Sequence, residues 1–317
     1  MREMGLALLV LFGATLATAV LGLITRFIDR KVTARVQWRV GPPWYQTFAD
    51  ILKLLGKETL VPGLAKGTLF LASPVLGFAA TSVGATMLWS HALGLGFAFF
   101  GDIIVLVYVL TIPSLMLVLG PASSGSPYGA VGASREMKLL LGYELPFVLA
   151  LAVALIHTGG SLRIEDIVAG QARHGAVIGS VSGVVAALVS LVCIQAKMGL
   201  VPFDMAEAET ELMGGILVEY SGPPLAVILL TRAMLYAALP MLLVTVFLGG
   251  IDLRGLGIVW ALLKYLAIVV LMVLMRNTNP RLRIDQAVRF FWGVLAPIAL
   301  AAVALAAYGR ARGIPWL

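Results

Sequence analysis

Acidic side chains are scarce in this chain, sixteen among 317 residues, and five of them gather in one short stretch. Asp204, Glu207, Glu209 and Glu211 follow Pro202-Phe203, and Glu219 comes just before Tyr220. On a helix, Asp204, Glu207 and Glu211 would have i, i+3, i+7 spacing and share one face, with Glu209 to one side. Carboxylates crowded in this way raise one another's pKa, so some would hold protons near neutral pH. Such a surface exchanges protons or attracts cations. The plain alternative is a solvated acidic loop. Against it stand Met205, Leu212, Met213, Ile216, Leu217 and Val218, which interleave the acids with apolar side chains.

Three more charges sit inside otherwise apolar runs. Glu144 lies between Tyr143 and Pro146. A proline there leaves the Gly142 carbonyl without its helical donor, which kinks the helix and exposes a polar group beside the carboxylate. A charge at membrane depth costs about 2.5–3.5 kcal/mol on insertion scales, so a functional role is its default reading. Lys264 falls near the middle of its run, too deep to reach water, and is assigned to an ion path or a buried pair. Arg232 is near enough to one end to snorkel to the interface. Asp102, at the start of another run, reads as an interface residue.

The elements that must position these groups are membrane helices. The chain is 60% hydrophobic and 12% charged, against roughly a quarter charged in an ordinary soluble domain. Crossing roughly 30 Å of hydrocarbon takes about 20 apolar residues. Residues 4–25, 67–101, 103–134, 145–162, 174–196 and 290–309 contain no Asp, Glu, Lys or Arg. Two further runs, 220–251 and 255–275, are interrupted only by Arg232 and Lys264. The expected fold is therefore all-α, a single polytopic membrane domain. Its eight expected spans cover about 4–26, 68–90, 100–120, 133–157, 176–198, 223–249, 256–275 and 289–309. The first run is too long for the apolar core of a signal peptide, although Ala17-Thr18-Ala19 imitates a cleavage site.

The net charge of +7 would suggest nucleic acid in a soluble protein. Here it follows the positive-inside rule and calls for no nucleic-acid partner. With the N-terminus outside, fifteen cations fall on the inner side, among them Arg26, Arg30, Arg35, Arg39, Lys53, Arg135, Lys197, Arg276, Arg281 and Arg283. Only Arg2, Arg163, Arg173, Arg254, Arg310 and Arg312 remain outside. Between the first two spans, apolar Phe48, Ile51, Leu52 and Leu55 alternate with Asp50 and Lys53. This predicts an amphipathic helix along the inner interface, about 44–57. Residues 121–134 read as an inner turn of low order, 159–175 as a solvated outer connection, and 200–221 as the acidic inner loop. Gly175, Gly179 and Gly183 recur every four residues, a spacing that lets helices approach closely. The single cysteine, Cys193, lies within a span, and His91, His157 and His174 fall toward the outer face. An intrinsic iron–sulfur or Cys-rich metal centre needs several converging thiolates, so any redox centre is expected on a partner.

Seven ordered motifs carry a resemblance across nearly the whole chain. They are Asp29-Arg30-Lys31, Gln37-Trp38-Arg39-Val40-Gly41-Pro42, Phe48-Ala49-Asp50-Ile51-Leu52-Lys53-Leu54, Lys57-Glu58, Tyr143-Glu144, the acidic segment from Pro202 to Tyr220, and Pro280-Arg281-Leu282-Arg283-Ile284-Asp285-Gln286. With them the chain resembles the H-subunit or subunit-1 family of respiratory NADH:quinone oxidoreductase, including its relatives in membrane-bound nickel–iron hydrogenases. The resemblance implies an eight-helix bundle that docks an electron-transferring peripheral arm on its inner face. It also implies a polar route through Glu144, Asp204, Glu207, Glu209, Glu211 and Glu219 toward antiporter-like subunits. Arg30, Arg35, Arg39, Asp50, Lys53, Arg281, Arg283 and Asp285 would form the junction with the arm.

Quinone-dependent members carry a longer, glycine-containing stretch where this chain has only Pro43-Trp44-Tyr45-Gln46-Thr47, and typically Glu where it has Asp29. The short form resembles the hydrogenase branch and its sulfur-reducing cousins. The expected function is a coupling and anchoring subunit of an ion-translocating, ferredoxin-linked hydrogenase-type complex. The chain itself would hold no cofactor. A NiFe centre and Fe–S clusters would reside in hydrogenase-like large and small subunits and a ferredoxin-like subunit. The rivals are a quinone-reducing relative, the membrane subunit of a sulfur-reducing relative, or a stand-alone secondary transporter using Glu144 and Lys264 at a midplane site.

Overall fold

The computed structural model of the protein describes residues 2–95, 101–207, 211, 213–314 and 316–317. Its helices are α1 (Arg2–Val36), α2 (Gln46–Leu55), α3 (Gly67–Ala92), α4 (Asp102–Val109), α5 (Ile112–Ala122), α6 (Pro127–His157), α7 (Ile164–His174), α8 (Val181–Lys197), α9 (Gly222–Phe247) and α10 (Gly257–Thr278). The last, α11 (Ile284–Arg312), contains a π turn at Phe291–Leu295. Among the described residues there is no strand, so the fold is all-α. Seven segments are long and apolar enough to cross a membrane: α1, α3, α4 with α5, α6, α9, α10 and α11. The apolar α8 is shorter, at 17 residues, or about 25 Å at 1.5 Å per residue.

Helix α9 runs through the middle, and every residue from Ala233 to Phe247 is buried. A helix apolar all round belongs in such a place. It packs on α1 and α3, while α6 packs on α8 and α11. The α1–α9 contact is close: a Cβ added at Gly22 would collide with the Ala233 carbonyl. Bare backbone at Gly22 is what lets these helices touch. Outward, Leu8, Phe12 and Leu16 of α1 and Val259, Leu263 and Leu271 of α10 are exposed, as a surface facing lipid tails or neighbouring membrane helices requires.

The third crossing is not continuous. Pro113 has no N–H for the Val109 carbonyl, and the helix breaks at Leu110-Thr111. The amphipathic segment forms α2, which buries Thr47 and Ile51. Ile51 packs with Leu23 and Ala233, so this helix also seals the α1–α9 seam.

Several expectations are corrected. Residues 121–134 are mostly ordered helix, since α5 runs to Ala122 and α6 starts at Pro127, where proline's fixed φ suits a first turn. Residues 164–174 form α7, whose Ile164, Ile167 and Gln171 are buried, so the outer connection is not merely solvated. Asp102, at the start of α4, is not left to solvent: it is 4% exposed, and its Oδ1 accepts a 2.8 Å hydrogen bond from the Ile164 N–H, capping α7 from another element. The glycine repeat does not line a helix contact either. Gly175 and Gly179 precede α8 and have open space beside them, and only Gly183 is crowded, by the Val177 carbonyl in the turn that starts the helix.

Candidate functional site: an ion-paired cavity and a buried lysine–glutamate pair

The acidic segment is not one helical face. Residues 200–207 are a chain of turns, and Asp204, Glu207 and Glu211 are each matched to a cation from elsewhere in the chain. Arg281 grips Asp204 with two hydrogen bonds, Nε to Oδ1 at 2.8 Å and Nη2 to Oδ2 at 2.5 Å, the fork geometry that suits guanidinium to carboxylate. Arg232 pairs with Glu207. Arg135 donates to Glu211 at 2.5 Å and to the Met205 carbonyl at 3.3 Å. Like charges are thus not left facing one another, because tertiary packing supplies a counter-charge to each. Glu209 lies outside the described residues. Glu219 is half-buried and does not border the cavity described next.

Behind this segment lies a cavity of about 430 Å³ at the end of the bundle where α1, α8 and α10 meet the acidic turns. Four carboxylates border it, Asp29, Glu136, Asp204 and Glu207, together with six cations, Arg26, Arg30, Lys197, Arg232, Arg276 and Arg281. Asp29 is 2% exposed and pairs with Arg276 across the bundle. Arg26 donates to the Leu229 carbonyl at 3.3 Å. Charges of both signs at such a density require water or mobile protons, since an unpaired charge in a dry site costs several kcal/mol.

Glu144 lies off this cavity, and its partner is neither Arg135 nor Lys138. Lys197, counted among the inner-face cations by its sequence position, is buried with its side chain 1% exposed. Its Nζ stands 3.9 Å from Glu144 Oε2 and donates to Thr111 Oγ1 at 2.6 Å. Thr111 lies at the α4–α5 break and is 3.3 Å from Glu144 Oε1. The rings of Tyr143 and Phe147 flank the ammonium at 5.8 and 5.3 Å from their centroids. Lys197 borders the cavity on one side and pairs with Glu144 on the other. Glu144 itself is 20% exposed at its side chain, so it opens toward the flank of the bundle.

Lys264 is not part of this site. Its Nζ lies beside Gly249, past the end of α9 and away from the cavity-lining residues. The length of the lysine stem lets it reach the loop from within the helix. Arg232 does not snorkel; it turns inward to Glu207. Of the junction residues, Arg30 holds Asp50 at 2.9 Å. Burial opposes ionisation of Asp50, but the hydrogen bonds from Arg30 and Gln46 hold its carboxyl below the ordinary aspartate value. Arg35, Arg39, Lys53, Arg283 and Asp285 are exposed at the same end. The Arg283 N–H is capped by Gln286 at 3.1 Å at the start of α11. Tyr220 closes the acidic segment by stacking on Phe70 and bonding its carbonyl at 3.1 Å.

Sequence reasoning missed Lys197, Glu136, Asp29, Arg26 and Arg276 as site residues. For Glu136 a signal existed. It lies seven residues before Tyr143, on the face that buries Gly129, Gly132, Leu139 and Tyr143, but Arg135 and Lys138 beside it made the segment look like a solvated flank. Among the described residues no three His, Cys, Asp or Glu side chains gather as a metal site, and Cys193 is a buried thiol.

An all-helical, multi-pass membrane protein with an ion-paired cavity at one end and a buried lysine–glutamate pair beneath it is the class this geometry defines. The family of NADH dehydrogenase matches residues 7–307. Similar chains include the H-subunit of NADH-quinone oxidoreductase from Anoxybacillus flavithermus, 37% identical over 307 residues and covering 91% of this chain and 90% of that one. Its counterpart from Bacillus mycoides is 34% identical over 323 residues, covering 96% and 92%. The chain belongs to this H-subunit, or subunit-1, family of NADH dehydrogenase. Among solved structures, a chain of the membrane-bound sulfane sulfur reductase, an archaeal respiratory membrane complex, superposes with a TM-score of 0.87 at 29% identity. The match covers 95% of this chain and 99% of that one.

Proposed function

We propose that this chain is the coupling and anchoring subunit of an ion-translocating, ferredoxin-linked respiratory complex of the hydrogenase type, lying in a prokaryotic cell membrane with its N-terminus outside. One observation carries the reading: a single buried ammonium, Lys197, borders the charged cavity and pairs with Glu144 at the flank of α6. A change of charge in the cavity is therefore felt at Glu144 through one side chain. The redox reaction that drives it belongs to partners: hydrogenase-like large and small subunits with a NiFe centre, and a ferredoxin-like subunit with Fe–S clusters. Antiporter-like subunits along the flank would take up the relay. The short Pro43–Thr47 connection and the likeness to a sulfur-reducing complex support the hydrogenase-type branch.

Glu144→Gln in the intact complex, reconstituted in liposomes, should abolish gradient formation while ferredoxin-driven electron transfer continues. Gradient formation at the unmodified rate would sink the reading. A second reading, quinone reduction at the cavity, is favoured by the names of the similar chains and by a cavity volume that admits a ring. Nickel assay of the purified complex, with reduced ferredoxin offered protons, polysulfide or quinone as acceptors, separates the two.

A further inference from the structure

The cavity and Glu144 do not share a wall; Lys197 and Thr111 stand between them. Lys197 Nζ is 2.6 Å from Thr111 Oγ1, a full hydrogen bond, but 3.9 Å from the nearer Glu144 oxygen, too far for one. The Thr111 hydroxyl has one proton and two acceptors for it, the Val107 carbonyl at 2.9 Å and Glu144 Oε1 at 3.3 Å. Glu144 Oε2 is buried without a hydrogen-bond donor. Thr111 also lies at the break forced by Pro113, as the residue that caps α5: its carbonyl accepts from the Leu115 N–H at 3.2 Å and its own N–H turns back to the Tyr108 carbonyl at 3.0 Å. A hydroxyl that accepts from an ammonium and can swing its own proton between a carbonyl and a carboxylate is the element a two-step proton transfer needs.

We infer that Thr111 is the proton bridge between Lys197 and Glu144. This rests on the coupling role proposed above and names its chemistry. With the hydroxyl turned toward Glu144, the O–H bond of Thr111 breaks, and its proton bonds to Glu144 Oε1. One N–H bond of the Lys197 ammonium breaks, and that proton bonds to Thr111 Oγ1. The products are a neutral amine, an intact threonine and a protonated glutamate, so protons and charge balance without any further reactant. The amine regains its proton from the cavity it borders, and Glu144 releases its own toward the flank. Rotation of the hydroxyl back to Val107 resets the bridge. Tyr143 and Phe147, packed around the ammonium, keep bulk water from short-circuiting the step.

The intact complex, reconstituted in liposomes enclosing a pH-sensitive dye, provides the test, with electron transfer measured in parallel. Thr111→Val keeps the shape and removes the hydroxyl. It should leave electron transfer unchanged and slow proton movement roughly a hundredfold, the lower end of what a positioned proton-transfer group contributes. Thr111→Ser should restore it. Should T111V fail to assemble, T111A and T111S share the smaller volume and differ only in the hydroxyl, so the same contrast is read between them. Equal proton movement with and without the hydroxyl, in a complex that E144Q silences, would overturn the bridge and leave the coupling role standing. Undiminished pumping by E144Q would overturn both.

Discussion

Arg232 is the residue on which the cavity's charge balance turns. Its guanidinium pairs with Glu207 and faces the same cavity as the buried Glu136. Arg232→Met would leave Glu207 without its counter-charge. A dry pair broken in this way costs about 3–5 kcal/mol. Here both side chains are partly exposed, 19% and 27%, so roughly 2 kcal/mol is expected, measured as a lower thermal midpoint of the solubilised complex. Adding Glu207→Gln should recover part of the loss, since the orphaned charge rather than the missing contact is the larger cost. A double variant no more stable than R232M would show the pair to be incidental. Lys197 and Glu144 follow the same logic, with less water to relieve them.

At the scale of elements, what matters is how close two helices can come and where one is allowed to break. Membrane helices gain little from apolar burial against one another, because lipid is as apolar as leucine, and close packing of small residues takes its place. Gly22 meets the Ala233 backbone directly. Gly22→Val should therefore push α1 from α9 and loosen the seam that α2 covers, at a cost of about 1–3 kcal/mol for overpacking. The measurement is thermal unfolding in detergent, with protease sensitivity of the α1–α2 connection as a local probe. Unchanged values in both would mean the seam has slack the geometry does not show. The break at Leu110-Thr111 is the opposite case. There a proline opens the backbone at the point where a hydroxyl must face both a lysine and a glutamate.

On the whole-molecule scale, the charged cavity, the Arg30–Asp50 pair, the Asp204–Arg281 pair and the exposed Arg35, Arg39, Lys53 and Arg283 share one end of the bundle. The peripheral arm is proposed to dock here. Exposed charges act at range and are screened by salt, with a Debye length of about 8 Å at physiological ionic strength. Arg35→Glu with Arg39→Glu should release the peripheral subunits at lower salt than the unmodified complex, seen as a shift in size-exclusion profile. Retention at the same salt would assign docking to other residues.

How much of this is legible along the chain differs between fold and site. Charge-free runs reveal the helices because hydrocarbon tolerates no unpaired charge and the penalty applies residue by residue, so composition alone shows it. The amphipathic helix α2 is likewise visible in the spacing of Phe48, Ile51 and Leu55. Glu144 stands out as a carboxylate beside a proline in an apolar run. Its partner does not. Lys197 sits at the end of its helix, where a lysine normally reaches water, and only the packing of α4, α5 and α6 around it turns it inward. The same holds for Asp204, Glu207 and Glu211, whose spacing suggests mutual repulsion. The structure pairs them with Arg281, Arg232 and Arg135, residues between 25 and 77 positions away. Sequence by itself determined which segments form helices apolar enough to cross a membrane and that acids gather between two of them, since both are local consequences of solvation. Tertiary structure alone decided which cation answers each carboxylate, because Coulomb energy depends on distance in space and not on distance along the chain.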